Sequence, residues 1–182
     1  MILSIRRFFI LFFVALLVSI AIVLGLGRTN YGEISSPTQT EKSVWPIKLT
    51  VSLSQNTFFV GEKVNVTLQL TNISNETIVL PFRTPIKFDF MICDESLQTL
   101  YVYSYTVGSS AVSSYIRLEP GESLSRTLEW AQKRLVSYYD EEQVGPGTYF
   151  VVGKTFHLDY VNPTGQEINE VKAEEIRIEI RS

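Results

Sequence analysis

Apolar and polar residues alternate with a period of two through most of the chain after Ile47. The alternation is clear in 63–70 (KVNVTLQL), 86–92 (IKFDFMI) and 174–180 (EEIRIEI). Successive side chains of a β-strand point to opposite faces of the sheet, so this pattern predicts strands with one buried face. An amphipathic helix needs apolar residues every three to four positions, and no long segment here has that spacing. The pattern therefore restricts this part of the chain to β structure.

Turn signals separate the alternating stretches and indicate how many strands there are. Gly61-Glu62, Pro120-Gly121 and Gly145-Pro146-Gly147 are the clearest of these signals. Seven to nine strands in residues 47–182 predict an all-β domain, an antiparallel immunoglobulin-like β-sandwich, with a closed barrel as the alternative. Only residues 131–144 could accommodate a helical turn.

An uncharged apolar run from Phe8 to Leu26 precedes the alternating region. As a helix its 19 residues would span roughly 28 Å, close to the thickness of a bilayer's hydrocarbon core. Arg6 and Arg7 precede the run and predict a cytoplasmic N-terminus. We therefore predict one transmembrane anchor and a single-pass protein of the cell membrane. The alternative is a cleaved signal peptide, which would make the protein secreted.

Four segments follow from these patterns. Residues 1–7 are the cytoplasmic N-terminus, and 8–26 are the anchor or signal peptide. Residues 27–46 are rich in Ser, Thr, Gly and Pro and predict a flexible stalk. Residues 47–182 are the β domain, which both interpretations of the apolar run place outside the cytoplasm.

Charge and cysteine content exclude several classes of function. All 19 acidic residues but only 14 of the 16 basic residues follow Leu26, which leaves the outer part with a net charge of about −5. Nucleic-acid binding needs clustered positive charge, so no nucleic-acid partner is expected. Cys93 is the only cysteine, which excludes an intrachain disulfide, and its apolar surroundings predict a buried thiol.

The chain lacks the residues that catalysis and metal binding usually require. His157 is the only histidine, and its flanking pattern predicts a residue on the face of a strand. No sequence motif of a serine hydrolase, zinc protease, phosphate-binding loop or dinucleotide-binding fold occurs. Asp140, Glu141 and Glu142 lack the ligand spacing of a calcium loop and predict a solvated acidic loop. We expect no enzyme activity, no metal and no cofactor.

Three sequons for N-glycosylation lie within 13 residues, beginning at Asn65, Asn72 and Asn75. The alternation places Asn65 on the polar face of its strand and the other two in the turn that follows. All three are candidate glycosylation sites if the host glycosylates the protein.

Two loop stretches are candidate recognition surfaces. The first is 104–114, SYTVGSSAVSS, and the second is 135–147, LVSYYDEEQVGPG. Tyrosine offers a large contact area at low entropic cost, and loops at the ends of a sandwich commonly bind partners. The candidate residues for contact with a protein partner are Tyr138, Tyr139, Asp140, Glu141 and Glu142.

Several motifs together resemble one family. The stretch 118–122, LEPGE, by itself predicts a structural corner between two strands. With its companions it is similar to the pattern of the BsuPI-type intracellular proteinase inhibitor domain. These companions are Phe88-Asp89-Phe90, Asp94, the stretch 101–104 (YVYS), Trp130 and the stretch 146–149 (PGTY).

The resemblance implies an immunoglobulin-like sandwich and inhibition of a protease. The chain departs from the family pattern at Tyr101 and Tyr103, where tryptophans are usual, and at Leu97, where a turn glycine is usual. No reactive-site residue is carried over. The sequence thus predicts a membrane-anchored extracytoplasmic module that binds a protein partner, for which a protease is one candidate, with genuine inhibition of an extracytoplasmic serine protease as the alternative.

Overall fold

Strands account for most of the regular structure in the computed structural model, which describes residues 38–108, 110–137 and 140–182. Between β7 and β8 lies one helical turn, α1 (Tyr103–Thr106). The strands are, in chain order, β1 (Gln39–Val44), β2 (Ile47–Leu53), β3 (Thr57–Phe59), β4 (Val64–Asn72), β5 (Ile78–Phe82), β6 (Phe88–Cys93), β7 (Thr99–Val102), β8 (Ser114–Leu118), β9 (Ser123–Trp130), β10 (Lys133–Leu135), β11 (Glu141–Gln143), β12 (Gly147–Thr155), β13 (Tyr160–Val161), β14 (Glu167–Ile168) and β15 (Ile176–Arg181).

Nine of these strands form two larger sheets. The first has the order β1-β2-β4-β9 and is antiparallel throughout. The second has the order β3-β15-β12-β6-β7, in which only the β3–β15 pair is parallel. Three two-stranded sheets complete the described part of the chain: β5–β8, whose strands are not consecutive, and the hairpins β10–β11 and β13–β14. The fold is therefore all-β, and its sheets are open rather than closed into the barrel that was the alternative.

The two larger sheets pack face to face over one apolar core. The inward side chains of β2 and β4 alternate strictly with outward ones, as the sequence pattern predicted. Gly153 of β12 lies directly against the first sheet. A Cβ added to it would lie 2.6 Å from Cγ2 of Val51 and 2.9 Å from Cδ2 of Leu68. A residue without a side chain is thus required where the sheets approach most closely, because cores are packed at crystal-like density.

Strand β1 corrects the predicted stalk boundary. Gln39–Val44 lies within the segment 27–46 predicted to be flexible, yet it pairs with β2 from Ile47 to Ser52. Its side chains are exposed or half-buried, so it carries no apolar alternation that a sequence pattern could detect. Its formation depends on backbone pairing with the edge of β2, which a tight turn at Trp45 and Pro46 brings back alongside it.

Two local predictions were also wrong. Residues 131–144 contain the β10–β11 hairpin instead of a helical turn. His157 is not on a strand face: β12 ends at Thr155, and His157 is exposed with a φ of 51°. The Thr155 hydroxyl accepts a hydrogen bond from the Val171 N–H at 2.8 Å, and the chain leaves the sheet there.

The predicted anchor, residues 8–26, lies outside the described residues. Among the residues that are described, no helix is long and apolar enough to cross a membrane.

Candidate protein-contact site

A surface cleft of about 770 Å³ lies between the segment that follows β7 and the β10–β11 hairpin. Residues 105–108 line one side, and Lys133, 135–137, Asp140 and Glu141 line the other. The two loop stretches that the sequence marked separately as recognition surfaces therefore meet at one site. Tyr138 and Tyr139 lie outside the described residues, so their predicted role in contact stays a prediction.

Cross-strand ion pairs build the hairpin wall of the cleft. The Lys133 Nζ lies 3.2 Å from a Glu141 oxygen, and the Arg134 Nη2 lies 2.6 Å from a Glu142 oxygen. Asp140 accepts a hydrogen bond from the Ser137 hydroxyl at 2.8 Å. The three acidic residues predicted as partner contacts are thus exposed but already engaged by neighbours, Glu141 and Glu142 in ion pairs and Asp140 in a hydrogen bond.

Gln132 joins this hairpin to the body of the domain. Its side chain is fully buried, and its backbone has a φ of 56°. The amide oxygen accepts a hydrogen bond from the Gly61 N–H at 2.8 Å, and the amide nitrogen donates to the Phe59 carbonyl at 2.8 Å. The adjacent indole of Trp130 donates to the Lys133 carbonyl at 2.8 Å. Although the hairpin is exposed, its base is therefore held firmly.

An aromatic cluster lies beneath the cleft. The ring of Trp130 is 6.4 Å from that of Tyr101 and 6.0 Å from that of Tyr149, and Phe90 is 5.7 Å from both Tyr101 and Tyr103. Burial raises the pKa of Tyr101 and of Tyr149. Tyr101 and Tyr103, where the resemblance leads one to expect tryptophans, thus pack as aromatic supports of this cluster.

The buried carboxylate of Asp89 holds α1 in place. One of its oxygens accepts from the Phe90 and Ser104 N–H groups, both at 2.9 Å, and the other accepts from the Ser104 hydroxyl at 2.8 Å. Burial raises the pKa of Asp89, and the hydrogen bonds from Ser104 oppose that rise. Sequence reasoning assigned Asp89 to a motif but not to this contact, because a four-residue turn has no periodic signal.

Lys87 holds the start of β8, the far end of the segment that follows α1. Its ammonium donates to the Thr84 and Pro85 carbonyls at 3.3 and 3.1 Å and to the Ser114 hydroxyl. It also lies 4.8 Å from the ring centroid of Phe82, which is a cation–π distance. Burial lowers the pKa of Lys87. Lys87 and Asp89, two residues apart, therefore fasten the two ends of the segment between α1 and β8.

The remaining residues singled out by the sequence occupy structural positions. Cys93 is buried and free, as predicted. Asn65 and Asn75 are exposed, but Asn72 is fully buried, and its amide donates to the Glu76 and Leu118 carbonyls at 2.8 and 3.0 Å. Asn72 therefore does not offer a free amide for a glycan. Within the described residues, no group of three or more His, Cys, Asp or Glu side chains is placed to hold a metal ion.

The stretch 118–122 is a corner, as predicted. The Glu122 N–H donates to the Glu119 carbonyl at 2.9 Å, and Gly121 has a φ of 76°. The Glu119 side chain accepts hydrogen bonds from Thr77 and Arg117, which lower its pKa. These contacts join β8 to β9 and bring no side chain to the cleft.

The fold and this surface define a small all-β domain with a surface cleft between residues 105–108 and the β10–β11 hairpin. The chain belongs to a known family: the sequence model of BsuPI, intracellular proteinase inhibitor, matches residues 51–157, more than half of the chain. The match begins within β2 and ends just after β12, and it includes Lys87, Asp89 and the whole cleft.

Solved structures that are similar to this chain have low sequence identity to it. A β-glucosidase from Listeria innocua in complex with gluconolactone is 14% identical, with a TM-score of 0.42, over 78% of this chain and 16% of its own. The C-terminal domain of Wzt is 9% identical, with a TM-score of 0.45, over 81% of both chains. The sporulation control protein Spo0M from Bacillus subtilis is 13% identical, with a TM-score of 0.40, over 76% of this chain and 51% of its own. No curated protein matches the chain.

Proposed function

We propose that this protein is a binding module that acts by contact with a protein partner through the cleft between residues 105–108 and the β10–β11 hairpin. The observation that carries the proposal is that two exposed loop segments meet at the cleft and that hydrogen bonds hold the base of each segment in place. Asp89 and Gln132 hold those bases, so the contact surface is preorganised and loses little freedom on binding. Its rim has a large, exposed aromatic side chain, Tyr105, which is 68% exposed.

We also propose that the fold is of immunoglobulin-like type. The chain crosses from β9 in the first sheet to β12 in the second, and Tyr149 lies near the start of β12. Its hydroxyl donates to the Gly145 carbonyl, four residues upstream, at 2.8 Å. This contact has the form of the tyrosine corner found in sandwiches of that type.

Alanine variants of the cleft test the binding proposal. Tyr105→Ala and the double change Tyr138→Ala and Tyr139→Ala should each weaken partner binding by about 1–3 kcal/mol if these rings are anchors. Partners are captured with the full-length protein, and affinities are then measured for each variant. Val161→Ala serves as the control, since Val161 is 58% exposed and precedes Asn162, which bonds to the carbonyl of Trp45 away from the cleft. Unchanged affinity in both cleft variants would reject the site.

Inhibition of a serine protease is the second candidate function, and family membership favours it. An inhibitor of this kind must place an exposed segment in the protease's active site and hold it there. The test is a titration of the full-length protein against serine proteases of different specificity. Absence of inhibition at micromolar concentration would leave the binding module as the function.

We further propose that the domain acts outside the cytoplasm, tethered by residues 8–26. The support is the sequence: an uncharged apolar run preceded by Arg6 and Arg7. Asn65 and Asn75 would then be the accessible glycan acceptors. Cell fractionation should recover the full-length chain with membranes, and a protease added to intact cells should degrade the domain. Recovery of intact protein in the cytosol would contradict this location.

A further inference from the structure

Most of the described residues between α1 and β8 are exposed. Gly108 and Ser110–Ser113 are exposed, and within the described ranges no backbone hydrogen bond ties them to another strand. A stretch whose backbone groups have no strand partner within the domain can pair with the edge of another protein's binding cleft.

Both ends of this segment are nevertheless fixed. Ser104 before it is bonded to the buried Asp89, and Ser114 after it donates to the Thr84 carbonyl at 2.6 Å and contacts Lys87. Fixing the ends lowers the conformational entropy that the segment would lose on binding. A segment with fixed ends and a free middle is suited to presenting one side chain to a partner.

Val112 is the side chain that this arrangement presents. It is 63% exposed, and its neighbours Ala111 and Ser113 are small. Small neighbours leave room for the walls of a pocket to close around the valine. A short branched aliphatic side chain suits a small apolar pocket, would leave a pocket built for an aromatic ring partly empty, and offers no cation to an acidic pocket.

We propose that Val112 enters the primary specificity pocket of a serine protease whose pocket is small and apolar, with Ser110–Ser113 lying extended along the protease's active-site cleft. This rests on the proposed inhibition of a serine protease and names the class of protease. Lys87 and Asp89 act as positioning residues, because they fix the ends of the segment without contacting the partner.

The test is a set of inhibition constants for the full-length protein against three serine proteases, with small apolar, large apolar and acidic specificity pockets. The variants are Val112→Asp, Val112→Arg and the matched control Val161→Asp, which alters a valine of similar exposure on β13. Wild type should inhibit the protease with the small pocket best. Val112→Asp should raise that constant at least about 30-fold, and Val161→Asp should leave it unchanged. Val112→Arg should shift preference toward the acidic pocket.

The outcomes distinguish this inference from the proposed inhibition of a serine protease on which it rests. If wild type inhibits but Val112→Asp inhibits equally well, or if both aspartate variants weaken inhibition alike, the inference is wrong and inhibition itself stands. A wild-type preference for the large or acidic pocket also overturns it. If wild type inhibits none of the three, both the inference and the inhibitory function fail, while the alanine variants of the cleft still decide whether the module binds a partner.

Discussion

At Asp89, burial and hydrogen bonding act on the same carboxylate in opposite directions. Burial raises its pKa, and the donors of Ser104 and Phe90 lower it, with burial the larger effect. The folded state therefore binds the proton more tightly than the unfolded state does. The contribution of Asp89 to the free energy of unfolding is complete below its ordinary pKa of about 4 and is lost as the pH rises through the raised value.

Asp89→Asn should remove this pH dependence, because an amide keeps the shape of the side chain but does not titrate. In urea unfolding measured between about pH 3.5 and 7, the variant's free energy of unfolding should fall less with rising pH than that of the wild type. Glu119→Gln is a control of opposite sign, since the pKa of Glu119 is lowered and its contribution is lost as the pH falls. Identical pH profiles for Asp89→Asn and wild type would refute the assignment.

Gly153 is where the two sheets approach too closely for any side chain. Gly153→Ala would place a Cβ 2.6 Å from Val51 and 2.9 Å from Leu68, both fully buried. We expect a loss of about 1–3 kcal/mol in the free energy of unfolding, the usual cost of overpacking a core. Urea unfolding measures it, with Gly145→Ala as the control, since nothing lies within 4 Å of a Cβ there. Equal stability of the two variants would contradict the close approach.

The elements differ in how far the sequence alone predicts them. β4 and β15 follow from alternation, because each has one buried face and one face that is exposed or half-buried. β6 also alternates in sequence, but in the structure it is buried on both faces. β1 and the β10–β11 hairpin have no buried apolar face. They depend on backbone pairing and on cross-strand ion pairs between exposed side chains, which leave no periodic apolar signal in the sequence. The cleft was only partly predictable for a similar reason. The sequence predicted both loops as recognition surfaces, but their proximity depends on tertiary structure.

Strand β1 makes a prediction about where a stable soluble fragment must begin. A fragment of residues 45–182 lacks β1 and exposes the edge of β2, whereas 36–182 keeps it. We expect the shorter fragment to lose on the order of 2–4 kcal/mol in the free energy of unfolding through its missing backbone hydrogen bonds. It should also aggregate through the open edge. Urea unfolding and size-exclusion chromatography compare the two, and equal stability would mean that β1 contributes nothing.

The whole domain combines one shared core with an exposed contact surface. The apolar core draws on both larger sheets and on the two-stranded β5–β8 sheet. The aromatic cluster under the cleft belongs to that core through Trp130, which is fully buried, so the contact surface rests on the core. Exposed segments can therefore vary in sequence without loss of the fold, which is how one scaffold can serve different partners.

A single core predicts that the domain unfolds as one unit, and the two tryptophans allow a direct test. Trp45 is 49% exposed in the turn between β1 and β2, whereas Trp130 is fully buried beneath the cleft. In the variant Trp45→Phe, fluorescence reports Trp130 alone, and far-UV circular dichroism reports the sheets. Since both depend on the same core, the two urea transitions should coincide, with a red shift of the emission as Trp130 meets water. A fluorescence transition at clearly lower urea than the dichroism transition would mean that the base of the cleft unfolds separately, and the contact surface would then not be preorganised by the core.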